Sequence, residues 1–150
     1  FTAGLICIGK SAAPENGYLP TTEPLAFAPS KNPWDVTRST AGSSGGAGAA
    51  TAAGVVPMAH ANDGGGSIRA PAAVNGVFGF KPSYGRVAGY PSALNGNLFH
   101  IGPITRSVLD AARVLEEPID TTLSNCRSML RKSPSTARVF FSRRNSICRC

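Results

Sequence analysis

Gly42-Ser43-Ser44-Gly45-Gly46 and, farther on, Asp63-Gly64-Gly65-Gly66-Ser67-Ile68-Arg69 are the two stretches that decide how this sequence is read. Three consecutive glycines let the backbone aim several N–H groups at one point, because no Cβ blocks positive φ or close approach. A serine ending such a turn stands where it could attack a carbonyl whose oxyanion those N–H groups would hold. The Ser-Ser pair, in its own glycine frame, offers a second hydroxyl able to relay a proton. Between the two stretches, residues 45–53 are Gly/Ala-rich and suit a closely packed helix, with Gly54 as its stop. Val55 to His60 then reads as a buried strand feeding the glycine turn. Together this reads as a serine hydrolase site, or half of one.

The same reading extends outward in both directions. Leu5-Ile6-Cys7-Ile8 is a buried-strand pattern over residues 4–9, and no basic segment precedes it as in a signal peptide. Residues 11–43 are loop-rich, since Pro14, Pro20, Pro24, Pro29 and Pro33 block long helices. Ile68 to Val74 is a short helix and Val77 to Phe80 a strand. Ser107 and Asp110 form a capping box, and Val108, Ala111, Ala112 and Leu115 then follow helical spacing over 107–117. Short strands alternating with helices give an α/β class. His60 falls in strand spacing and His100 in a Gly/Asn-rich loop.

The 150 residues carry a net charge of +7, distributed unevenly. Residues 1–117 are nearly neutral at +1 and hold all 17 glycines, whereas residues 118–150 carry +6 and three of the four cysteines. The expected division is therefore a globular core over 1–117 and a basic Ser/Arg/Cys tail over 118–150, disordered or out of frame. Arginines in such a tail could contact phosphates, but Phe140-Phe141 are its only aromatic residues and no nucleic-acid module is present, so that reading is disfavoured. No apolar run approaches the ~20 residues of a membrane span. The cysteines lack zinc-ligand spacing, and a reduced, cytoplasmic setting is the default. Nothing in the sequence sets an oligomeric state.

Two motif matches compete with the paired-serine reading. Gly4-x-x-x-x-Gly9-Lys10-Ser11 fits the P-loop pattern, but its centre is Leu-Ile-Cys-Ile, a strand where an anion-cradling loop is needed. Gly42-Ser43-Ser44-Gly45-Gly46 fits a nucleophile elbow with Ser44 as nucleophile, and Asp63 and His100 would complete an α/β-hydrolase esterase triad. That elbow needs a buried strand before it, and residues 32–41 are polar and proline-broken.

Further matching text comprises Asn32-Pro33-Trp34-Asp35, Pro71-Ala72, Gly79-Phe80-Lys81-Pro82, Gly85-Arg86 and Gly102-Pro103-Ile104-Thr105-Arg106-Ser107-Val108. With the two serine stretches, these make residues 4–116 resemble the amidase signature family of serine amidohydrolases. Leu19-Pro20-Thr21-Thr22-Glu23-Pro24 and Ala59-His60-Ala61-Asn62-Asp63 look like the branch that includes aminohexanoate-cyclic-dimer hydrolases. The resemblance implies a partial amidase-signature fold, a mixed sheet flanked by helices and incomplete at both ends. It implies hydrolysis of the C–N bond of a small-molecule amide through an acyl-enzyme on Ser67, with no metal or organic cofactor. Ser43 matches the family's serine on a cis peptide bond, which shuttles the proton of Ser67. Gly64, Gly65, Gly66 and Ser67 match the oxyanion hole, and Asp63 and Arg69 match positions that support the turn. Lys10 matches the family's later Gly-Lys-Thr/Ser motif, which is not the base, and Lys81 matches a structural position; the family's catalytic lysine lies on a strand upstream of those matched here. Without that base a serine keeps the inertness of an alcohol, so the 150-residue chain alone is expected to be inactive.

Overall fold

The computed structural model describes residues 5–87 and 98–116, and the backbone of 136–142. Five strands form one sheet in the order β1-β5-β2-β4-β3: β1 is Leu5–Ala12, β2 Met58–Asp63, β3 Phe78–Gly79, β4 His100–Thr105 and β5 Thr136–Ser142. Every pair among these strands is antiparallel, where the sequence resemblance implies a mixed sheet. The helices are α1 (Gly45–Ala52), α2 (Arg69–Val74) and α3 (Val108–Glu116), close to the spans read from sequence. None is long and apolar enough to cross a membrane among the described residues.

The period of two along β2 sorts the core into layers. Ala59 and Ala61 point to one face, where they pack with Ala47 of α1 and with Val56, Ile68 and Ile104. Met58 points to the other face and packs with Val114 of α3, joined by Leu5 and Cys7. Helices thus cover both faces of the sheet. Small residues set the first layer's thickness: a Cβ at Gly46 would stand 2.5 Å from both the backbone N and O of Ala12, so α1 lies directly against β1. Gly54, at φ 74°, ends α1 as the sequence suggests.

Four local expectations need correction. β1 is an edge strand rather than a buried one, with Ile6 and Ile8 exposed. β2 begins three residues later than expected, leaving Val55 outside it and exposed. In α3 the buried positions are Ala111 and Val114, whereas Val108 and Ala112 face out. The Ser107–Asp110 box does form: Ser107 Oγ accepts from Asp110 N at 3.1 Å and donates to its carboxylate at 2.7 Å. His100 begins β4 instead of lying in a loop. That strand is hidden in the sequence by Gly102 and Pro103. Pro103 is tolerated because its carbonyl, and hence its missing N–H, faces the end of β3, where Phe80 N donates to Pro103 O at 3.1 Å.

Within the basic tail, Thr136–Ser142 is a strand. It pairs with β1 from Leu5↔Ser142 to Ala12↔Thr136 and with β2 at Met58↔Phe140 and Ala59↔Val139. The boundary expected at residue 117 lies outside the described residues.

Candidate active site

The glycine turn leaves the end of β2 and enters α2, and one carboxylate organises it. Asp63, 1% exposed, lies on the α1/α2 face of the sheet. Its Oδ1 accepts from Gly66 N at 2.7 Å and from Arg69 Nη2 at 3.0 Å. Its Oδ2 accepts from Arg69 Nε at 2.9 Å, Ile68 N at 3.2 Å and Arg69 N at 3.4 Å. Burial pushes this carboxyl's pKa up, but the Arg69 guanidinium and the three backbone donors outweigh it and hold the pKa at about 2. The same ion pair raises the pKa of Arg69. Gly66 takes φ 126°, a conformation open to glycine, so the chain can reverse over the carboxylate.

This arrangement narrows the candidate oxyanion hole. The N–H of Gly66 is committed to Asp63 and cannot serve as a donor in this geometry. Among the described residues the N–H groups of Gly64, Gly65 and Ser67 have no partner. Ser67 is half-buried at the mouth of the turn. Phe99 and Leu98 wall one side of it, with Phe99 Cε1 3.3 Å and Leu98 Cγ 3.4 Å from where a Cβ of Gly64 would stand. Neither residue stands out in the sequence, because the glycines and proline around β4 conceal the strand beside which they lie.

The serine loop precedes α1, and Thr22 holds it from beneath. Thr22 Oγ1, fully buried, donates to Ala41 O at 2.8 Å and accepts from Gly45 N at 3.0 Å, with Ser43 O 3.3 Å away. The Gly42–Ser43 peptide bond is cis, at the position the sequence resemblance indicates. Ser43 is buried, and its Oγ would lie 3.5 Å from a Cβ at Gly17, so the turn Glu15–Gly17 closes over the hydroxyl. Ser44 Oγ reaches Asn62 O at 3.5 Å, bringing the serine loop beside the end of β2.

The competing motifs do not form. Residues 5–12 are strand, so Lys10 and Ser11 belong to no phosphate loop. A groove of about 400 Å³ between β1 and α1 is lined by Lys10, Ser11, Lys31 and Val55 and by none of the candidate site residues. No strand leads into Ser44, the Asp63 oxygens are taken by the turn, and His100 Nδ1 is 3.0 Å from Leu98 O. Lys81 Nζ donates to Pro82 O at 3.1 Å. Among the described residues no His, Cys, Asp and Glu side chains assemble into a group that could hold a metal.

A family model described as Amidase matches residues 1–144. The chain belongs to the amidase signature family. It is 47% identical over 116 residues to a putative amidase of Synechocystis sp., covering 76% of this chain and 23% of that protein. It is 46% identical over 118 residues to the 6-aminohexanoate-cyclic-dimer hydrolase of Paenarthrobacter ureafaciens, covering 76% of this chain and 24% of that protein. Among solved structures, 6-aminohexanoate cyclic dimer hydrolase in complex with its substrate superposes with a TM-score of 0.70 at 45% identity, over 73% of this chain and 23% of that one. The chain thus spans about a quarter of the length of the amidase-family proteins it matches.

Proposed function

We propose that this chain carries the nucleophile half of an amidase site that cleaves the C–N bond of a small-molecule carboxamide. The observation that carries this reading is the Asp63-centred turn, which leaves the Gly64, Gly65 and Ser67 N–H groups unpartnered beside the Ser67 hydroxyl among the described residues. Ser67 Oγ attacks the amide carbon as its proton passes to Ser43 Oγ and on to a lysine. The carbonyl oxygen becomes an anion held by the three N–H groups, each such donor contributing roughly 100- to 1,000-fold in rate. Collapse breaks the C–N bond, the amine leaves with a proton, and water then hydrolyses the acyl ester. This scheme uses no metal or organic cofactor, and a reducing cytoplasm suits the free Cys7 thiol.

The base is the part that the described lysines do not supply: Lys81 is tied to Pro82 O, and Lys10 and Lys31 line the β1/α1 groove. Residues 1–150 expressed alone are therefore expected to leave an aryl amide such as p-nitroacetanilide intact. The protein purified from its source is expected to hydrolyse it, with Ser67→Ala lowering turnover by about 10⁴-fold or more and Ser44→Ala sparing it. Turnover indifferent to Ser67→Ala would overturn the assignment. Turnover by residues 1–150 alone that Ser67→Ala abolishes would overturn the need for an additional lysine.

A further inference from the structure

We infer that Asn75 is a positioning residue that holds the Ser43 loop and the Ser67 helix at a fixed separation. The inference rests on the paired-serine reading above.

Asn75 follows α2 and is fully buried. Its side-chain amide donates one N–H to Thr40 O at 3.1 Å and the other to Pro71 O at 2.8 Å. Thr40 is three residues before Ser43, and Pro71 is four residues after Ser67, so one planar group spans the two backbones that present the serines. Both partners are carbonyls, which only the NH2 end of the amide can satisfy, so the hydrogen bonds themselves fix its orientation.

Two neighbours lock the amide in place. Gly48 of α1 passes so close that a Cβ there would stand 2.9 Å from Asn75 Nδ2, so the amide is wedged among α1, α2 and the loop. From the other side, Asn32 Nδ2 donates to Val74 O at 2.9 Å, and Trp34 Nε1 donates to the Asn75 carbonyl at 2.8 Å. These satisfy carbonyls at the end of α2 that its own short ladder leaves open. The Asn32–Trp34 segment thus clamps the residue that carries the bridge.

The cost of this amide argues for a role beyond filling space. Asn75 Oδ1 is buried with no hydrogen-bond partner among the described residues. A buried unpaired acceptor is destabilising, and an apolar side chain of similar size would avoid it. Such a side chain would abandon both carbonyls and cut the buried side-chain link between the two serine-bearing segments.

The test uses the protein from its source with the aryl-amide assay, comparing Asn75→Ala, Asn75→Ser and Val114→Ala. Val114 lies on the far face of the sheet, so Val114→Ala supplies a loss of thermal stability without touching the bridge. The expected result is that Asn75→Ala lowers kcat at least tenfold with KM changed less than threefold, and Asn75→Ser, which keeps one donor, falls between it and wild type. Val114→Ala keeps wild-type kcat at a comparable loss in Tm. If Asn75→Ala does not fold, Asn75→Ser alone decides, by a kcat loss exceeding that of Val114→Ala. Equal kcat for the Asn75 variants and Val114→Ala, with turnover still abolished by Ser67→Ala, would overturn the positioning role and leave the nucleophile standing. Turnover that survives Ser67→Ala would overturn both.

Discussion

Ala41 has φ 54°, in the left-handed region, one residue before the Gly42–Ser43 bond, and Thr22 grips its carbonyl there. A Cβ in that region costs about 1–2 kcal/mol, whereas glycine adopts it freely but loses more entropy on folding. Ala41→Gly should therefore stabilise the fold by roughly 0.5–1 kcal/mol, read as a rise in the urea midpoint at unchanged slope; a lower midpoint would show that Ala41 is unstrained. Asp63 governs acid stability. Its pKa is near 2 in the folded chain, below the ordinary carboxyl value of 3.8, so its stabilisation is complete above about pH 5 and drains as pH falls toward 2. That amounts to roughly 2 kcal/mol, and Asp63→Asn should flatten this part of the pH profile of unfolding free energy as well as lower the plateau. An unchanged acid slope in Asp63→Asn would assign the effect to other carboxylates. At this scale the sequence is informative wherever a residue type has few uses. Three glycines, one serine and a flanking Asp and Arg are legible as one turn. That Gly66 N–H turns inward to Asp63 is not, because donor direction depends on φ and ψ, which residue type alone does not fix. Asn75 is invisible for a similar reason, since one of its partners is a carbonyl far away in sequence.

Elements built on small residues are held by contact distance more than by buried area. The buried positions of α1 are Gly45, Gly46, Ala47, Gly48 and Thr51, which bring little apolar surface and allow an unusually close approach to β1. Gly46→Ala should push α1 away from Ala12 and cost about 1–3 kcal/mol, the range for overpacking a tight site, despite the better helix propensity of alanine. Thermal unfolding measures it; a stabilised variant would mean that propensity outweighs the contact. The existence and order of α1, β2, α2, β3 and α3 are readable because composition and spacing agree there, with a side-chain cap adding to the signal at α3. The Ser107–Asp110 box places α3 well, but the buried stripe is not the one the spacing suggests, since Val114 and not Ala112 meets Met58. β4 and β5 escape the sequence on different grounds. In β4, Gly102 and Pro103 mimic a loop, and only the neighbouring end of β3 makes the proline acceptable. Around β5, a basic Ser/Arg-rich tail conceals a strand that pairs with backbone near the opposite end of the chain, beyond the reach of local pattern.

At the scale of the whole molecule, the described residues form a well-filled centre and a bare margin. Its core runs from α1 and α2 through β2 and β4, where Ala47, Ala59, Ala61, Ile68 and Ile104 are all fully buried. Toward the margin, β1 pairs on one side only among the described residues, and Ile6 and Ile8 are 37% and 54% exposed. Ile8 also sits in the register shift between Cys7 and Gly9, where β5 offers it no partner. An edge strand bearing exposed β-branched residues is a template for pairing with another chain, and nothing on β1 beyond Lys10 supplies the charge that commonly blunts such edges. The matched relatives carry further chain beyond the quarter or so of their length that is spanned here. Residues 1–150 on their own should therefore self-associate as concentration rises. Ile8→Lys places a charge at the unpaired bulge and removes an exposed apolar side chain, so it should shift the distribution toward monomer while leaving the Asp63-dependent acid transition where it was. Sedimentation velocity over a concentration series distinguishes the outcomes. A wild-type chain that stays monomeric would show the edge to be harmless. Association that Ile8→Lys does not reduce would move the contact to another exposed group, of which Leu25, at 97% exposed, is the first to test.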